Sequence, residues 1–195
     1  MVSNELENIF LSASIPLNNR DAKYFGSADV ISIRDAVIAL TTALVPHYRI
    51  IWGGHPSITP LINYVMQKIE KKIQDHFILY QSDFFSDYFP EDNNQFDNII
   101  TTERLADKEK SLELMRKEML SNNFVAGIFI GGMEGVEIEY EMFTKLHPTA
   151  ITLPIASTGA AAKIIFEKIE SKDMDLVSNF AYMSLFQEKI INKLK

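Results

Sequence analysis

Gly127-Ile128-Phe129-Ile130-Gly131-Gly132-Met133-Glu134-Gly135-Val136 decides how this chain folds. A continuous apolar run ends in a glycine pair, and a segment of helical period follows at about 135–146. Continuous rather than alternating polarity is how a strand buried on both faces of a parallel sheet reads. The same succession recurs along the chain. Apolar runs at Ile9–Ser12, Arg49–Trp52, Phe77–Gln81, Asn98–Thr102 and Ala150–Ile155 alternate with helical segments at about 29–45, 57–74, 108–121 and 158–169. A last helix is expected at about 173–194.

Helix starts are marked by Asp107 before Lys110, Leu112, Leu114 and Met115, and by Ser157-Thr158-Gly159 before Ala160-Ala161-Ala162. His147-Pro148 closes one helix and leads to the next strand. Strand–helix repetition of this kind implies an α/β fold with right-handed crossovers. The expected architecture is a Rossmann-like three-layer sandwich with a mostly parallel sheet of about six strands, formed by residues 1–195 as one domain. Only Ser82 to Asp97, with Phe84, Phe85, Tyr88, Phe89 and Pro90, resists assignment. It reads as a packed surface loop or as a lid over a pocket.

Composition narrows the function classes. The 195 residues are 47% apolar, enough for a full core, and the net charge is −7. That balance lacks the basic face a nucleic-acid footprint needs, so no nucleic acid is expected as a partner. It leaves room for a small anion held by backbone amides and one or two Arg. There is no cysteine, which removes disulfides, thiolate metal sites and cysteine nucleophiles. His47, His55, His76 and His147 are scattered without metal-site spacing, so neither a metal nor a cofactor is expected. Met1-Val2-Ser3-Asn4-Glu5 has no basic region leading into a long apolar run, and no stretch approaches the roughly 20 apolar residues that span a bilayer. The expectation is a cytoplasmic protein with no membrane partner.

In an open parallel sheet, ligands bind beyond the carboxyl ends of the strands. The segments that follow the strands are therefore the candidate site. They contain Ser12 and Ser14; Gly53, Gly54, His55 and Thr59; Gln81 and Ser82; Gly131, Gly132, Met133, Gly135 and Val136; and Ser157, Thr158 and Gly159. Gly admits close backbone approach, and a helix N-terminus adds unpaired N–H donors with partial positive charge. A single such turn also arises for steric reasons alone, so the weight lies in their recurrence at one sheet edge.

Glu139 lies four residues after Gly135, one turn into the helix opened by the second glycine pair. A carboxylate there can bind ribose hydroxyls or stabilise an oxocarbenium-like transition state. It equally suits the N-terminal half of any helix, a role for which Glu134, Glu137 and Glu141 compete. Arg116, on the helix before the fifth strand, and Arg34, on the first long helix, are candidate anion contacts; each also reads as a solvated or ion-paired surface residue. Trp52 ends a strand and reads as core.

Four strings together resemble the SLOG superfamily: Phe10 to Pro16, Gly53 to Leu61, Phe129 to Glu137 and Leu153 to Ala160. This superfamily groups the LOG-type, lysine-decarboxylase-like phosphoribohydrolases, the DprA/Smf fold and the ligand-sensing domains of TRPM channels and of bacterial defence proteins. The chain is most similar to the prokaryotic TRPM-like branch, over roughly residues 8–170. The resemblance implies a Rossmann-like fold and a nucleotide-derived ligand, ADP-ribose-like or cyclic-ADP-ribose-like, in a setting of bacterial defence or signalling. LOG-type enzymes carry Pro-Gly-Gly-x-Gly-Thr-x-x-Glu with an Arg on the preceding helix. By match, Arg116 and Glu139 take the places of that catalytic pair. The string departs in three ways. Ile130 replaces the Pro, one extra residue lengthens the stretch between Gly132 and Gly135, and Val136 replaces the Thr with loss of a phosphate-binding hydroxyl.

Two functional readings stay open alongside a purely structural domain. One is a sensor that binds a nucleotide-derived small molecule without turning it over. The other is an N-glycosidic hydrolase that needs Arg116 and Glu139 at one ribose. A sensor acts through an effector, which would be a separately encoded protein, because only the helix at about 173–194 follows residue 170. That helix, with Phe180, Met183, Leu185 and Phe186, is expected either to pack on the sheet or to form a homodimer face.

Overall fold

The computed structural model describes residues 6–19, 22–69 and 74–194. Six parallel strands form one sheet: β1 (Asn8–Ser14), β2 (Arg49–Trp52), β3 (Phe77–Ser82), β4 (Ile99–Thr102), β5 (Ala126–Gly131) and β6 (Ile151–Ile155), in the order β4-β3-β2-β1-β5-β6. The chain first steps outward from β1 to β4, then returns over the sheet to lay β5 on the other side of β1. The order therefore reverses at β1, where a doubly wound sheet opens a crevice for ligands.

Side chains alternate across β1 and divide the core in two. Ile9 and Leu11 join the cluster covered by α2 (Val30–Leu44) and α3 (Thr59–Lys68). Phe10 joins the cluster under α4 (Lys108–Leu120), α5 (Glu134–Leu146) and α6 (Ala160–Lys168). These helices and the sheet between them are the three layers. The expected fold class is what the chain adopts, with every strand pairing parallel rather than most of them.

Two details of packing set up the strand ends. Phe143, fully buried, stacks on Phe10 with ring centroids 5.4 Å apart. A Cβ at Gly127 would lie 2.7 Å from the Phe143 ring, so the bare backbone of β5 lets α5 sit close to the sheet. Glu139 is one turn before Phe143 on the same helix face and is carried to the sheet with it. At the end of β5, Gly131 and Gly132 take φ of 56° and 89°, a backbone region that L side chains rarely adopt. Gly132 N–H donates to Ser14 O at 2.8 Å and Gly131 N–H to Thr158 Oγ1 at 2.8 Å, so this turn is bonded to β1 and to the turn after β6.

Two expectations are corrected, and one short helix was not foreseen. The helix expected at 173–194 is interrupted: α7 (Asp175–Ser178) and α8 (Tyr182–Phe186) are separate, and a π turn at Gln187–Ile191 leads to Asn192–Leu194. The break comes where Asn179 Oδ1 accepts the Ala181 N–H at 2.8 Å, a local bond that competes with helix. Leu185, Phe186, Ile190 and Ile191 are buried in the chain's own core beside α2. The helix expected at 57–74 runs Thr59–Lys68, and its expected end at 70–73 lies outside the described residues, as does the N-terminal Met1–Glu5. A short helix, α1 (Ala22–Phe25), went unexpected. Among the described residues no helix is long and apolar enough to cross a membrane.

Candidate functional site

A cavity of about 630 Å³ lies over the C-terminal ends of β1, β2 and β3, walled by α4 and α5. That volume is in the range of small-molecule sites, roughly 300–1,000 Å³. Its walls come from both sides of the sheet: Leu11 and Trp52 belong to one core cluster, Met115 and Val136 to the other.

The polar centre of the cavity is a three-residue chain. Arg116 Nε donates to Glu139 Oε1 at 3.1 Å, and Ser12 Oγ donates to Glu139 Oε2 at 2.5 Å. The Arg116 and Glu139 side chains are 13% and 14% exposed, so the pair is largely withdrawn from solvent yet lines the cavity. At that burial the attraction is screened far less than in a surface pair. With Nε engaged, the two Nη groups of Arg116 have no protein acceptor among the described residues and remain available to an anion or a hydroxyl. A Cβ at Gly135 would stand 3.1 Å from Arg116 Nη2, so the glycine makes room for the guanidinium. Among the described residues, Lys108, Glu109, Glu113 and Glu134 also contribute charge to the wall.

The turn after β2 presents its backbone. Gly54 has φ of 67°, and a Cβ there would fall 2.0 Å from Gln81 Nε2. The neighbouring His55 is held by Ser57, whose backbone N–H donates to Nδ1 at 3.2 Å with Ser57 Oγ 2.8 Å from the same atom. A backbone N–H can only donate, so Nδ1 is the acceptor in this contact, which fixes the ring beside the turn.

Of the residues singled out from the sequence, the structure brings Ser12, Ser14, Gly53, Gly54, His55, Gln81, Ser82, Arg116, Met133, Gly135, Val136 and Glu139 to this cavity. Others stand away from it. Arg34 is exposed on α2 and pairs with Asp35 at 2.8 Å. Thr59 is fully buried and accepts the Trp52 indole N–H at 3.3 Å. Ser157 bonds the Tyr182 hydroxyl, Thr158 braces the Gly131 turn, and Gly159 is packed against the Ser27 carbonyl. Gly131 and Gly132 act one layer back: their turn aims Met133 to Val136 at the cavity while they themselves are packed against Ile33 and Val136.

Several lining residues were not picked out from the sequence. Lys108, Glu109, Leu112 and Glu113 lie eight, seven, four and three positions before Arg116, so they share its helix face. Ile138 and Met142 stand in the same relation to Gly135 and Glu139 on α5. Helical spacing from the two charged candidates finds all of them but Ile138, which follows Gly135 by three positions. Phe85, Tyr88, Phe89 and Pro90 come from the unassigned segment, which forms 3-10 turns at Asp83–Tyr88 and Glu91–Gln95 along the cavity. No group of His, Asp or Glu able to hold a metal occurs among the described residues.

Residues 23–190 match the SLOG cluster3 family. Among solved structures, the X-ray structure of TM1055, a structural-genomics target, is similar to this chain with a TM-score of 0.62 at 14% identity, covering 95% of this chain and 100% of that one. At that identity the likeness speaks for the fold. No curated protein matches the chain.

Proposed function

The chain belongs to the SLOG cluster3 family, and from that premise we propose that its cavity binds a nucleotide-derived small molecule, ADP-ribose-like, with the ribose at Glu139 and Arg116. One observation carries the reading: Ser12, Arg116 and Glu139 form a single bonded chain lining a cavity at the point where the strand order reverses. Ionised Glu139 offers further lone pairs to vicinal hydroxyls, and the Arg116 Nη groups offer donors to a phosphate or a ring oxygen. Phe85, Tyr88 and Phe89 offer aromatic surface to a heterocycle.

A second reading, N-glycosidic hydrolysis, is favoured by the 3.1 Å approach of Arg116 to Glu139. In that reaction the C1′–N bond breaks with its electron pair going to the base. Water adds to C1′, and its proton is taken up by the departing base. Glu139 would stabilise the positive charge that develops at C1′.

Calorimetry with AMP, ADP-ribose and NAD, followed by chromatography for a released base, separates the readings. Binding without turnover supports a sensor. Base release that disappears in Glu139→Ala supports the hydrolase. Binding to none of the three counts against both.

A further inference from the structure

The Gln81 side chain is 3% exposed, lines the cavity and is almost without protein partners. Its Nε2 donates to Gly54 O at a long 3.4 Å. Its Oε1 and its second N–H have no partner among the described residues, and Oε1 is not among the sealed, unsatisfied polar atoms. The unpartnered Oε1 is therefore not sealed off and opens onto the cavity, with the unused N–H of the same amide beside it. A buried amide that leaves donor and acceptor capacity unused costs stability unless something else takes it up.

The neighbouring backbone is shaped around this side chain. Gly54 turns to positive φ, and any Cβ there would collide with Nε2 at 2.0 Å. The Gly54 carbonyl accepts only, so the atom beside it must be the nitrogen, which fixes which end of the amide is which. Gln81 thus presents one acceptor and one donor side by side in a set orientation.

Position extends the argument. β3 is separated from β1 by β2 alone, so Gln81 and Ser12 stand about two strand spacings, roughly 10 Å, apart along the strand ends. Strand alternation sends them to opposite faces of the sheet: Leu79 belongs to the cluster under α3, and Phe10 to the cluster under α5. The Ser12–Glu139–Arg116 chain and the Gln81 amide therefore address the cavity from its two ends, with the bare backbone of Gly53 and Gly54 between them. A nucleoside laid across that crest has its sugar at one end and the edge of its heterocycle at the other.

We infer that Gln81 is the residue that recognises the heterocycle, pairing through its amide with a ring that carries a donor and an acceptor side by side. This inference rests on the sugar-binding reading above. An amino group beside a ring nitrogen, as in adenine, and a ring carboxamide, as in nicotinamide, share that chemistry.

Calorimetry on the full chain tests it with AMP, nicotinamide mononucleotide and ribose 5-phosphate. Gln81→Met keeps the length and removes the amide. The expected result is that it weakens binding of AMP, of nicotinamide mononucleotide or of both by roughly ten- to hundredfold, with ribose 5-phosphate unchanged. Whichever base loses affinity identifies the source of the paired groups. Equal losses for all three ligands, or no loss for any, overturn the inference while leaving the sugar site standing. No binding of any of them to the unaltered chain overturns the sugar-binding reading, and this inference with it. A thermal melt of Gln81→Met checks that the variant folds. If it does not, Gln81→Asn keeps the amide but withdraws it by one methylene, and the same base-selective loss is expected.

Discussion

Gly135 on α5 and Arg116 on α4 meet edge to edge: a side chain at 135 would touch the guanidinium at Nη2, 3.1 Å away. The glycine has ordinary helical geometry at the second position of its helix and no positive φ, so it is there for space. Gly135→Ala should leave stability unchanged or raise it by up to about 1 kcal/mol through helix propensity. The same change should displace the Arg116 head by a few tenths of an ångström and weaken ligand binding severalfold. A melt paired with calorimetry reads both, and a fall in melting temperature would show that the contact serves folding instead.

Glu139 holds two donors at once, so its removal leaves Ser12 and Arg116 facing a largely buried gap. Glu139→Gln keeps the shape but loses the charge. We expect about 1–2 kcal/mol of destabilisation for a variant that forfeits a charge-assisted bond at this burial, and loss of ligand binding by tenfold or more. Retention of full affinity would remove Glu139 from the site.

Thr158 is fully buried and carries two backbone groups, accepting from Gly131 N–H and donating to Ile155 O. Thr158→Val is close in shape and strands both groups. A loss of about 2 kcal/mol is expected, with Thr158→Ser recovering most of it. Chemical denaturation checks this; an unchanged midpoint for Val would mean the Gly131 turn needs no brace.

Asp29 caps α2 by accepting the Ser32 N–H at 2.9 Å, and that backbone bond holds its carboxyl below the ordinary aspartate range. Because the folded value lies below the unfolded one, the cap stabilises above the ordinary range and is lost as pH falls below it. Asp29→Ala should cost about 1 kcal/mol near neutrality, and the gap to the unaltered chain should close in acid. A gap independent of pH would assign the cost to something other than the ionised cap.

Much of the sheet was legible because most strands are continuous apolar runs, the pattern of buried parallel strands, although the edge strand β4 leaves Ile99 and Ile100 exposed. Glu139 was singled out by spacing, one helical turn after Gly135, whereas Arg116 was paired with it only through the family resemblance, because its place on α4 equally suits a surface ion pair. The remainder depends on pairings that spacing does not encode. Ser157, Thr158 and Gly159 have the composition of a ligand turn, yet they spend their polar atoms on Tyr182, Gly131 and the packing at Ser27. Asn179 breaks the last helix through a bond only two residues long, which helical periodicity on either side conceals. The segment from Ser82 to Asp97 lacks any period because its 3-10 turns are too short to repeat one, although its aromatics form part of the cavity.

The position of the cavity on the crest of the sheet has a mechanical consequence. The helices on the two faces pack against separate groups of side chains with the strands between them, and the crest is where Leu11 and Trp52 of one group share a surface with Met115 and Val136 of the other. A molecule seated there acts as a rivet through the sheet. Its arrival would tie the motion of α3 to that of α4 and α5, so occupancy on one side of the protein becomes readable as slowed amide exchange on the opposite side.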